Sequence, residues 1–158
     1  MKSTSFNFQR GFSLIELLIV VAIIGIVAAL AIPNLLASRR AANEAAAISA
    51  IRALSSVQET YRSTTGNGTQ FTNMAGLLSL QLIDEQLGAA TSVATPKSGY
   101  IFSVITTAGN LNFCAGAAPA TVNTGTRNFS SDEPGVIYAH AVNVASPPTT
   151  TSGGVALN

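Results

Sequence analysis

The sequence predicts an α+β fold: one long N-terminal helix, half of it membrane-spanning, packed on a small antiparallel β-sheet head. Three observations predict it. Residues Leu17 to Ile32 form an unbroken uncharged apolar run. After it, Ile48, Ile51, Leu54, Val57 and Tyr61 recur at three- and four-residue steps, the period of a helix with one apolar face. Beyond residue 65 the chain becomes rich in Thr, Ser, Gly, Asn and Ala, with short alternating runs between turn residues. A length of 158 residues accommodates one domain plus a long anchor helix.

With Leu14, Ile15, Leu35 and Leu36 the apolar run reaches the ~20 residues that cross a bilayer as a helix. Two features set it apart. A carboxylate, Glu16, stands inside it, and a Gly11-Phe12 pair marks where the polar leader ends. A secretory signal peptide also joins a basic start to an apolar centre, and Ala29-Leu30-Ala31 imitates its cleavage site, but its apolar region is only ~7–15 residues. A plain anchor fits the length. It gives no reason to carry an ionisable group, which costs roughly 2.5–3.5 kcal/mol at a helix centre and less near an end.

The series Lys2…Arg10-Gly11-Phe12-Ser13-Leu14-Ile15-Glu16, followed by an apolar helix with Gly25 and Pro33, resembles the N-terminus of a type IV pilin or pseudopilin precursor. The resemblance runs without a gap from about Arg10 to Leu36 and more loosely to Tyr61. It implies that a prepilin peptidase cuts after Gly11 on the cytoplasmic side and that the new amine on Phe12 is methylated. It further implies a homopolymer built through the N-terminal helix, with an inner-membrane assembly platform and a separate motor ATPase as partners. The chain itself carries no nucleotide-binding motif.

A lone carboxylate in lipid takes up a proton or finds a cation. Arg10, the nearest side-chain cation, leaves with the leader, and the cut creates an amine on Phe12, four residues from Glu16. Within one helix the two can face each other. The resemblance implies a pairing between copies: Glu16 of an incoming subunit meets the Phe12 amine of its neighbour and sets the register of assembly. The plainer alternative is a Glu that reaches the headgroups near the helix end.

Taken in order, residues 1–11 are the leader, with two cations and no acid. Arg39 and Arg40 flank the other side of the apolar run, so orientation rests on the junction motif. Residues 12–38 form the membrane-spanning, filament-core half of the helix, and 39–64 the amphipathic half. Such a helix is about 78 Å long. Gly25-x-x-x-Ala29 offers a small face for close helix approach. Pro33 lacks an N–H and collides with the Ala29 carbonyl, so a kink or local melting is expected between Gly25 and Pro33. That place either extends under tension in an assembled bundle or is a tolerated kink. Arg39, Arg40, Asn43, Glu44, Arg52, Glu59 and Arg62 are expected on the solvent side. Gly66 and Gly68 suit a helix stop.

Residues 65–158 make the head, with a linker and a loose C-terminal tail. Asn73 is expected to cap a short helix through Leu87, in one piece or two, with Gly88 as its stop. Tyr100–Ile105 and Leu111–Cys114 alternate around the Gly109-Asn110 turn. Further strands are expected at Arg127–Ser131 and Val136–His140, the latter after the turn Glu133-Pro134-Gly135. The tail from Ser146 is expected to be loose.

Net charge is +1 with 9% charged residues, so no basic face is available for nucleic acid. Losing Lys2 and Arg10 leaves six cations against seven acids. Cys114 is the single cysteine, which rules out an internal disulfide and departs from the many pilins that close a C-terminal loop with one. A buried place in its strand is expected, against a reactive or lipid-linked thiol. His140, the sole histidine, has no spacing that builds a nucleophilic site with Asp132. The adjacent Asp132 and Glu133 are too few for a calcium cage. No zinc or haem motif is present, and the reading is of a non-enzyme without cofactor or metal.

Three functions fit. The first is the major structural subunit of a type IV pilus, held in the inner membrane before assembly and on the cell surface afterwards. The second is a pseudopilin of a type II secretion system. The third is a monomeric membrane-anchored periplasmic binding module. The first two predict cleavage after Gly11 and helical polymers; the third predicts neither.

Overall fold

The computed structural model describes residues 11–133 and 135–157. The expected leader, up to Arg10, and Pro134 of the expected turn lie outside them. The chain divides into two units, one ending at Ala37 and one beginning at Ser38.

Helix α1 spans Leu14–Thr64 without interruption. Pro33 lies inside it, and the local melting expected there does not occur. The Asn34 side chain donates to the Leu30 carbonyl (3.2 Å), adding a hydrogen bond beside the one that proline cannot make. At the other end Gly66 N–H returns to Tyr61 O (2.9 Å) and Gly68 N–H to Arg62 O (2.9 Å), closing the last turn. Gly66 is needed here, because a Cβ would run into the Gln70 carbonyl.

The short helical region is two pieces, α2 (Met74–Ser79) and α3 (Glu85–Gly88). Asn73 caps α2, its side-chain oxygen accepting from Gly76 N–H at 3.0 Å. Gln81 takes a left-handed φ of 55° between the two pieces.

Five strands follow: β1 (Tyr100–Thr106), β2 (Phe113–Pro119), β3 (Arg127–Asp132), β4 (Ile137–Ala141) and β5 (Val155–Leu157). They pair in sequence order as an antiparallel meander. Register places Phe102, Ala117, Phe129 and Ala139 in one row across the sheet. The small alanines of β2 leave room for the rings beside them. Tyr100 and Phe129 lie 6.0 Å apart, and Phe71 meets Phe113 at 4.9 Å. This face buries Ala47, Ile51 and Leu54 of α1, with Ile48, Val57 and Tyr61 packed at the margin.

Three sequence expectations need correction. Strand β2 continues five residues past Cys114, through a Gly/Ala stretch with weak intrinsic strand preference. The tail is not loose throughout: β5 pairs with β4, Leu157 opposite Ile137 and Val155 opposite Ala139. Glu44 is not on the solvent side. It is 6% exposed, and Gln58 on the same face is fully buried.

Candidate assembly segment

In the unit ending at Ala37, every large apolar side chain from Phe12 to Leu36 is exposed. Phe12 is 76% and Leu14 81% exposed. Within α1 this stretch is long and apolar enough to cross a membrane. A soluble helix would bury one stripe and expose the other; here there is no polar side to expose.

Helix α1 begins just after Ser13. Glu16, in the first turn, reaches back and accepts the Ser13 amide N–H at 2.9 Å. This is half of a capping box. The nitrogen of Phe12 is here a peptide amide, so the carboxylate serves as the helix cap and complements the positive end of the helix dipole. Gly11 and Phe12 precede the helix and are exposed.

Gly25 and Pro33 lie farther along, Gly25 about 13 Å from Glu16. One chain therefore does not bring the five expected residues together. A Cβ on Gly25 would meet nothing within 4 Å. Its smallness answers no need inside the chain and leaves a dent on an apolar surface.

The residues weighed for chemistry have other partners. His140 is half-buried, its Nε2 2.6 Å from Ser130 Oγ, and burial lowers its pKa. Asp132 accepts from Thr151 Oγ1 at 3.0 Å, while Glu133 pairs with Arg62 at 3.0 Å. The two adjacent acids thus go to different partners. Among the described residues no three His, Cys, Asp or Glu side chains group as metal ligands. Cys114 is buried, and desolvation, with the Asp132 charge, pushes its thiol up to about 11.

A polar cluster that the sequence reading missed joins α1 to the β2–β3 loop. Glu44 accepts from Thr126 N–H (2.8 Å) and Thr126 Oγ1 (2.7 Å), and its other oxygen takes two donors of Arg127 at 3.0 and 2.7 Å. Asn43 donates to Thr124 O at 3.0 Å, and Arg40 to Asn123 O and Oδ1 at 3.3 and 3.2 Å. A signal was present: Glu44, Ala47, Ile51, Leu54 and Gln58 follow a three–four spacing and continue the apolar stripe.

The N-terminal segment matches a family model described as the prokaryotic N-terminal methylation motif, over residues 6–32. The chain is 39% identical over 89 residues to the type IV wide pilus major component of Thermus thermophilus, covering 56% of this chain and 66% of that protein. It is 42% identical over 77 residues to the type IV major pilin protein of Myxococcus xanthus, covering 48% and 35%. The chain belongs to the type IV pilin and pseudopilin family. A pseudopilin-side relative of this pilin-type chain is the type II secretion system core protein G of Escherichia coli, 41% identical over 54 residues, covering 34% and 37%. The matches thus span 66% of the first relative and little more than a third of the other two. No solved structure matches the chain.

Proposed function

We propose that this pilin-type chain is the major structural subunit of a type IV pilus. The observation that carries the reading is the apolar unit itself, which exposes all its large side chains and finds no cover in its own chain. In the inner membrane lipid covers it. In a filament, copies of the same helix would. Lipid is as apolar as leucine, so burying area at ~25 cal/mol per Å² contributes little to that transfer. Close packing and the Glu16–amine pair must drive it.

In this reading a prepilin peptidase cuts after Gly11, the Phe12 amine is methylated, and Glu16 exchanges its Ser13 cap for the amine of a neighbouring copy. Gly25 admits that neighbour closely, and Pro33 bounds the segment free to adjust. An inner-membrane platform and a cytoplasmic motor ATPase would move the subunit from the membrane to the surface filament. The pilus reading is favoured by an 89-residue match to a pilus component, more than the 51-residue helix can hold. The secretion-system match of 54 residues is about the length of that helix and favours the pseudopilin as second reading.

Filament yield tests the proposal. Glu16→Ala is expected to be cut after Gly11 as usual, yet to lower surface filaments about tenfold or more, the loss of one charged pair. Filaments at unchanged yield would contradict it. Gly11→Ser is expected to block the cut; a mature chain beginning at Phe12 in that variant would remove the cleavage assignment.

A further inference from the structure

The sheet face turned away from α1 carries Cys114 and Gly116 of β2, Asn128, Ser130 and Asp132 of β3, and His140 of β4. Much of it is closed to solvent: Ser130 is 0%, Asn128 2% and Cys114 7% exposed. The cover is the segment after β4. Asn128 holds it from three sides, donating to Asn143 O (3.0 Å) and Ser146 O (2.9 Å) and accepting from Asn143 N–H (3.1 Å). Ala145 N–H donates to Pro119 O at 2.9 Å. Thr151 Oγ1 donates to Asp132, as described. The Pro148 carbonyl lies so close over Gly116 that a Cβ there would strike it.

These contacts are nearly all polar. The buried apolar core ends in sequence at Ile137; beyond it Ala139 of β4 and, within the segment after β4, Leu157 pack at the core's margin. Val142 and Val155 are 48% and 72% exposed. Ala145 is held at φ 58°, a left-handed conformation that costs a non-glycine residue energy while the segment is closed. With one cysteine in the chain, no internal disulfide ties the segment down.

We propose that residues 142–157 form a strap that opens as a unit while α1 and β1–β4 stay folded, uncovering the Cys114 thiol and the outer edge of β4. The strap's release gives up hydrogen bonds and the apolar contacts of Pro147 and Leu157 but leaves the larger core between α1 and the sheet in place, so it needs less free energy than unfolding that core. It relieves the backbone at Ala145. It also leaves the β4 groups now paired with β5 as a free strand edge. Cys114 lines a cavity of about 220 Å³ whose outer wall is Thr149–Thr151, so its thiol reports the opening directly.

The test is thiol labelling of the full-length unassembled subunit in detergent micelles, at pH 8, with an aromatic disulfide across urea concentrations below the unfolding transition. Closed, the thiol is raised to about 11 and covered. Open, it returns toward the ordinary ~8.5 and reacts. The expected labelling rate is nearly independent of urea. Asn128→Ala raises it about tenfold or more, and the shape-preserving Thr151→Val raises it several-fold, each by removing strap hydrogen bonds. Hydrogen exchange of the wild-type chain, which covers the case of an unfolded Asn128→Ala variant, is expected to release the Ala145 amide well before the β2 and β3 amides. Labelling that falls in step with global unfolding, an unchanged rate in Thr151→Val, or simultaneous exchange of strap and sheet would each overturn the strap. The measurement uses single subunits, so its outcome is independent of the pilus reading.

Discussion

Glu44 shows how a charged residue can hold a mainly apolar seam. Burial alone would raise its carboxyl. The Thr126 hydroxyl and amide, then the Arg127 guanidinium, outweigh that and hold it below the usual carboxylate range. A carboxyl depressed in the folded state contributes stability above its unfolded pKa, near 4.3, and loses it as pH falls through the folded value. The head is therefore expected to lose stability below about pH 4.3. Glu44→Gln keeps an acceptor for Thr126 but gives up the charge toward Arg127. It is expected to cost about 1–3 kcal/mol at neutral pH and to flatten the acid dependence, both read from melting curves between pH 3 and 7. An unchanged acid slope would remove Glu44 from that role. The residue was legible as a charge on a helix but not as a buried one, because its partners Thr126 and Arg127 stand 82 and 83 positions away. Only the phase of the stripe pointed to it.

At the scale of elements, the long helix was readable because its two halves each carry a strong pattern, apolar all round and then one-sided. The cap at Asn73 and the first, third and fourth strands were readable for the same kind of reason: a side chain or an alternation announces each. Strand β2 was half hidden, since Ala115-Gly116-Ala117-Ala118 has neither β-branching nor alternation and becomes a strand through the rings on either side. The three residues of β5 were hidden altogether, because an edge strand that short is specified by the partner it finds in β4. At Pro33 the melting that was one of the two expectations does not occur, since the helix runs through it. Gly25 yields a prediction at this scale. Because its Cβ would meet nothing in its own chain, Gly25→Leu is expected to leave subunit level and melting temperature unchanged while sharply lowering filament yield. Wild-type yield in that variant would show that no neighbour approaches there.

The whole molecule joins a unit with a buried apolar core to one that exposes all its large apolar side chains. The head is held by a five-stranded meander, the seam on α1 and polar ties, with no internal disulfide. The N-terminal unit leaves its large apolar side chains without cover, and the proposed function supplies that cover from lipid and then from copies of the same helix. The motif at Gly11–Glu16 was legible from sequence because it combines a junction, a carboxylate and a long apolar run. The cap that Glu16 makes on Ser13 was not, since it depends on where the helix starts. The most direct test of the central claim is the intact mass of filaments sheared from cells. The account predicts this chain as the principal component, beginning at Phe12 and heavier by one methyl group. Chains that begin at Met1 or Ile32 and sediment as single copies would contradict it.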